Sequence, residues 1–355
     1  MVDFSPSNED RLILEAVEAL SARLGPRAEG WDRADRIDPE ALAAVAELGL
    51  CGLFVDEAAG GAGLGCTTAA LTTEALARAS GALALRLSAH AAGALPALVA
   101  AGRTQADLAP LVAGERWAAK IDGVALTEGR LRGQARWVVG GADAEILVVL
   151  TRCGRVARVD GAAAGLTREV ADGLGMRGSG LAHLRLEDVL AGEVTGPLDP
   201  GTRDRLAEVE RLAVASVGVG IGRAALAEAA AYARERRQFG RPIADFQAVQ
   251  WMLADAATEM DAAALLTIRA GLSLDGADDL GASHAAAAAL VLTSEAALSA
   301  SQKAIQVHGG YGFVREFVVE RLARDARYLG VALGGRDAAR AALGRALLDG
   351  EPEGS

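Results

Sequence analysis

Between residues 8 and 113 apolar side chains recur every three or four positions, in "LILEAVEALSARLG", "PEALAAVAELGL" and "TTAALTTEALARAS". That period predicts helices buried along one face. The break "EAAGGAGLG" between them has neither a preceding strand nor a following Gly-Lys-Ser/Thr, so it reads as a connecting loop and not as a phosphate cradle. From about 114 to 195 the period changes: "RWVVGG", "EILVVLTRCGRVARV" and "LAHLRLEDV" are short β-branched runs bounded by Gly and Asp, which predicts strands and turns. After "GPLDPGTRD" the helical period returns. Val249, Leu253, Ala256, Met260 and Ala263 share one helix face, and "ASHAAAAALVLTSEAALSASQKAIQ" predicts a second long helix. Gly218 and Gly222, four apart, predict close packing between helices. The expected fold is therefore α+β and mainly α. It has an N-terminal helical domain over 1–113, a small middle β domain over 114–200 and a C-terminal helical bundle over 201–350, ending in a frayed "DGEPEGS".

Composition narrows the function. A chain of 355 residues with 51% hydrophobic and 23% charged side chains can bury more than one core. Its net charge of −11 argues against nucleic acid or an anionic membrane surface as partner, so an anionic ligand must be met by local arginines. The acidic start "MVDFSPSNED" does not read as a signal peptide, and the longest wholly apolar run, "AAAAALVL", is far short of the ~20 residues that span a bilayer. A soluble, cytoplasmic protein without a membrane span is expected. Cys51, Cys66 and Cys153 show no paired spacing and read as small buried hydrophobes, with no metal site expected.

Two segments carry candidate chemistry. "RERRQFGR" places four arginines around a phenylalanine and a turn, which suits phosphate recognition, although a solvated helix end would hold cations for its dipole alone. "QVHGGYG", at 306–312, pairs a hydrogen-bonding glutamine with two glycines that let backbone approach a ligand. His308 inside it reads as a local hydrogen-bonding residue. R-x-x-F-G, F-Q-x-x-Q and, roughly 70 residues on, Q-x-x-G-G-x-G with "VERLARDAR" together resemble the C-terminal domain of the acyl-CoA dehydrogenase family. The α-β-α order extends the resemblance over nearly the whole chain, implying an acyl-CoA dehydrogenase fold with a C-terminal four-helix bundle.

The resemblance implies FAD held between subunits. Arg236 would meet the pyrophosphate of a neighbouring subunit's flavin, with Gln238, Phe239 and Gln247 beside it, while Gln306, Gly309 and Gly310 would hold the adenosine side. It also implies removal of two hydrogens from an acyl thioester, carried by coenzyme A or by a carrier protein, with electron-transfer flavoprotein a further candidate partner. A carboxylate with a pKa raised by burial must take the α proton. The family's Y-E-G-T glutamate after R-D-A is missing, its position falling on Leu333 or Gly334, and Asp337 reads as a helix-start residue. A second group of the family places the base in E-R-L. Glu210 in "EVERLAV", 26 residues before Arg236, matches that register, with Arg211 beside the thioester.

The middle domain departs from the pattern. "GERWAAKIDGVALTEGRLRGQARW" is too short for the A-L-T-E-x-x-A-G-S-D strand and turn, so the domain is shortened. The hydroxyl of W-I-T/S is replaced by Val138 and Val139 after Trp137. One half of the flavin site thus looks intact and the other altered. This suggests a subunit of a heteromer, tetrameric or α2β2, that completes a flavin site with a homologous dehydrogenase chain. The alternatives are a self-sufficient homotetramer with Glu210 as base, and a flavin-free acyl-thioester-binding or non-redox protein on the same fold.

Overall fold

The structure, a computed structural model, describes residues 8–276, 281–332 and 335–348. Leu333, Gly334 and the "DGEPEGS" tail lie outside the described residues.

The first third is helical: α1 (Asn8–Leu24), α2 (Ala28–Ala34), α3 (Pro39–Glu47), α4 (Cys66–Ala79), α5 (Gly81–Ser88), α6 (Leu95–Ala100) and α7 (Gln105–Val112). Their ends follow from local chemistry. The Asp38 carboxylate caps α3 by accepting from the Ala41 amide, and Thr104 with Asp107 forms a reciprocal capping box on α7. A wider π-helical turn, Ala89–Ala94, joins α5 to α6; such turns recur at functional sites.

The middle third is a seven-stranded sheet in the order β5-β6-β2-β1-β3-β4-β7. Its strands are β1 (Ala118–Thr127), β2 (Arg130–Val138), β3 (Ile146–Thr151), β4 (Arg155–Asp160), β5 (Leu166–Val170), β6 (Ala182–Leu190) and β7 (Val194–Pro197). β1 pairs parallel with β3 through its first half, shifts register between Asp122 and Val124, and then pairs antiparallel with β2. Gly123, at φ +75°, sits in that irregularity, where a left-handed residue lets the strand bend from one half of the sheet to the other. "ALTE" ends β1 and enters the tight hairpin at Glu128–Gly129, so "GRLRGQARW" begins in this hairpin and runs along β2.

The last part is built on α8 (Pro200–Glu235), 36 residues and about 54 Å long. Asp199 caps it through the Thr202 amide. A two-residue-stranded hairpin, β8 (Arg237–Gln238) and β9 (Arg241–Pro242), follows, then α9 (Gln247–Leu274), α10 (Ala282–His308), α11 (Val318–Leu329) and α12 (Gly335–Leu348). Helices α8 to α11 form the bundle, and its close approach comes from glycine. A Cβ on Gly218 would lie 2.6 Å from Thr293, and one on Gly222 2.4 Å from Met260. One apolar core runs from Val17, Leu76 and Leu83 in the N-terminal helices into Val217, Ile221 and Leu290 of the bundle. A second core fills the sheet.

Two helical stretches, Gly81–Ala100 and Pro200–Glu235, are long and apolar enough by composition to cross a membrane, but 83% and 72% of their apolar windows are buried within the fold. Cys51 is buried, which pushes its thiol up to about 12. Cys153 corrects the expectation of buried cysteines: it is exposed in the turn between β3 and β4, where the chain reverses at the surface.

Candidate active site

Glu210 is buried on the N-terminal half of α8, at 8% exposure. It lines a cavity of about 450 Å³ whose walls come from the π-helical turn, β1, β2 and α11. The turn brings Gly93 so close that a Cβ there would lie 3.2 Å from Glu210 Oε1. Lys120 of β1 donates from Nζ to Glu210 Oε1 at 2.6 Å and to Asp122 at 2.9 Å. Its side chain is 7% exposed, that of Glu210 10%, and that of Asp122 55%. Burial works against the Lys120 ammonium, but the Glu210 and Asp122 carboxylates outweigh it and push it up to about 12. Burial also pushes Glu210 above its ordinary value, with Lys120 and Arg211 pulling the other way. The 2.6 Å contact between Lys120 Nζ and Glu210 Oε1 has salt-bridge geometry.

On its β2 side the cavity is rimmed by Trp137, 45% exposed and held at φ +57° in a register irregularity of the strand. A bulky residue in that conformation carries strain that its surroundings must hold. The Tyr328 hydroxyl donates to the Trp137 carbonyl at 3.1 Å, and the Trp137 amide donates to His183 Nδ1 at 3.2 Å. Val138 and Val139 complete this wall without a hydroxyl. Arg211 lies elsewhere. It lines a smaller cleft of about 250 Å³, together with Arg203, on the other side of the Lys120–Glu210 pair.

A second locus forms where α8 ends. Arg236 leaves the helix and holds its guanidinium 5.7 Å over the Tyr311 ring. With Gln238, Gly309 and Gly310 it lines a cleft of about 510 Å³. A Cβ on Gly309 or Gly310 would meet nothing within 4 Å, so the backbone there is open to a ligand. Phe239 turns the hairpin at φ +49° and is 93% exposed, edge-on to Phe246. Gln247 and Gln306 are exposed and, like Phe239, do not line the cleft. His308 is buried, stacked on Tyr232 at 4.1 Å, with Nδ1 2.8 Å from the Ala304 carbonyl oxygen. The two loci share no lining residue.

These groups fit a dinucleotide unevenly. The outer cleft offers an arginine fork, an aromatic ring and open glycine backbone, which suit a pyrophosphate and its flanking groups. The cavity offers an indole and apolar walls to a flat ring, with polar side chains from Gln134 and Arg136 in place of a hydroxyl at 138 or 139. Sequence reasoning did not single out Lys120 or Tyr328. Tyr328 stands in "RDARY", next to a recognised motif, whereas a lone lysine in a strand carries no local signal.

A family model for the acyl-CoA dehydrogenase C-terminal domain matches residues 204–348, and one for the N-terminal domain matches 7–114. The chain is 30% identical to the probable acyl-CoA dehydrogenase YngJ of Bacillus subtilis, over 98% of this chain and 100% of that one. That alignment spans 382 residues, more than the chain's own 355, so this chain carries deletions relative to that protein. A subunit named CarC of the caffeyl-CoA reductase-Etf complex of Acetobacterium woodii is 39% identical over 43% of this chain and 41% of its own length. The solved butyryl-CoA dehydrogenase of Megasphaera elsdenii superposes with a TM-score of 0.89 at 25% identity, over 98% of this chain and 100% of that one. The chain belongs to the acyl-CoA dehydrogenase family.

Proposed function

We propose that the chain serves FAD-dependent α,β-dehydrogenation of an acyl thioester as one subunit of a heteromer with shared flavin sites. The observation that carries this is the outward corner at 236–241. Phe239 is 93% exposed beside Arg236, leaving unrealised the ~1.5–3 kcal/mol that burying such a side chain contributes. The cavity wall, by contrast, presents valines where a ring-facing hydroxyl is wanted. Arg236 and Gln238 would hold the pyrophosphate side of a cofactor completed by a homologous chain. Gly309 and Gly310 would hold its adenosine side, whereas Gln247 and Gln306, exposed outside the cleft, are given no part in it. FAD, when bound, supplies the acceptor for the β hydride.

Glu210 takes the α proton: the Cα–H bond breaks and an Oε–H bond forms. Burial excludes water from that carboxylate, whereas Arg211 lines the separate cleft and is given no part at the thioester. A self-sufficient homotetramer with Glu210 as base is the second reading, favoured by a cavity and carboxylate that come from a single chain. Flavin per chain, measured on this protein alone and coexpressed with a homologous dehydrogenase chain, separates the two. Flavin only in the mixed complex supports the heteromer, near one per chain alone supports the homotetramer, and none in either rejects both.

A further inference from the structure

Lys120, Asp122 and Glu210 form the wall between the 450 Å³ cavity and the 250 Å³ cleft, since all three line both. A carboxylate buried without a cation takes up a proton and is no base, whereas one clamped by a cation is ionised but less basic. Here the cation is itself shared: Lys120 reaches Glu210 at 2.6 Å and the half-exposed Asp122 at 2.9 Å. We propose that Lys120 is a positioning residue for Glu210, holding its carboxylate ionised and its Oε1 fixed, and that Asp122 moderates this grip by drawing on the same ammonium. The proposal rests on Glu210 being the base.

The charged and titratable groups that face Glu210 are few. β1 supplies Lys120 and Asp122, β2 supplies Arg136 at the cavity wall, α11 supplies Tyr328, and α8 itself supplies Arg203 and Arg211. The π-helical turn supplies Gly93, while its one titratable group, His90, is engaged by the Leu111 carbonyl and the Ala118 amide and is pushed down to about 4 by burial. Among the described residues Lys120 is the cation in hydrogen-bond contact with Glu210, so it dominates that balance. The two β1 residues therefore act with opposite sign. Removing Lys120 strands the carboxylate and raises the pH at which it ionises; removing Asp122 leaves the ammonium wholly to Glu210 and lowers it.

The test follows the carboxyl directly in the full chain by infrared titration, with Glu210→Gln identifying its band, and needs no turnover. Lys120→Met should move the midpoint up by about 1–3 pH units, Lys120→Arg should restore most of that shift, and Asp122→Asn should move it down. In the flavin-loaded protein or complex, washout of α-deuterium from a saturated short-chain acyl-CoA should show its acid limb displaced in the same directions. If Lys120→Met does not fold, Asp122→Asn carries the test by its downward shift, with Lys120→Arg staying close to the wild type. A midpoint unmoved in Asp122→Asn and in Lys120→Met where that variant folds, or faster washout at neutral pH in Lys120→Met, overturns the proposal, the latter by making Lys120 a block. A Lys120-dependent midpoint without any washout by the wild-type protein keeps the pairing and sinks the dehydrogenation reading.

Discussion

Asp325 sits at 3% exposure on α11 and accepts the Met176 amide at 2.5 Å, tying the loop before β6 to the helix that carries Tyr328 to Trp137. Burial pushes its carboxyl up to about 6, against the pull of that hydrogen bond and of Arg321 and Arg324. Its ordinary value is 3.8, so between pH 3.8 and 6 the folded chain binds more protons than the unfolded one, and stability falls as pH rises through that window. The shift of roughly two units corresponds to about 3 kcal/mol once the group is fully ionised, about half of it already developed at pH 5. Asp325→Asn keeps an oxygen for the Met176 amide and removes the charge, but its amide protons need partners, which costs about 1 kcal/mol or more. The variant should therefore be more stable than the wild type by about 1–2 kcal/mol at pH 8, with a much smaller advantage at pH 5. Chemical denaturation of both proteins at the two pH values measures this. A variant that is less stable at pH 8, or whose advantage does not change with pH, would refute the reasoning.

Glu210→Gln should abolish α-deuterium washout while leaving fold and flavin content unchanged; persistent washout would remove Glu210 from the chemistry. Arg236→Ala removes the fork over Tyr311 and should lower the flavin content of the mixed complex, read from visible absorbance per chain. Gly220→Ala should destabilise by about 1–3 kcal/mol despite its better helix propensity, because the added Cβ would lie 2.5 Å from the Glu74 carbonyl of α4. Gly344→Ala, with nothing within 4 Å, should instead stabilise by up to about 1 kcal/mol, and melting curves of the pair compare the two.

The helical period was legible where a helix buries one stripe, as in α9, where Ala256, Met260 and Ala263 are buried at the spacing the sequence implied. β1 was not legible, since Lys120, Asp122 and Gly123 break its alternation and one of those polar residues is buried only by a helix 90 positions away. β5 was hidden for the opposite reason, having no fully buried side chain in its burial pattern. At the outer locus Arg236, Gln238, Gly309 and Gly310 do line one cleft, whereas Phe239, Gln247 and Gln306 stand apart from it, and a motif in sequence does not reveal which of its members point the same way. The valines at 138 and 139 were visible as letters, but the left-handed turn that presents Trp137 depends on pairing with β6.

In the proposed heteromer the exposed Phe239–Arg236 corner reaches a partner chain, so the most direct measurement is flavin stoichiometry for the purified chain and for its coexpressed complex with a homologous dehydrogenase chain. No flavin alone and about one flavin for every two chains in the complex is the expected result. One flavin per chain in the protein on its own would contradict it.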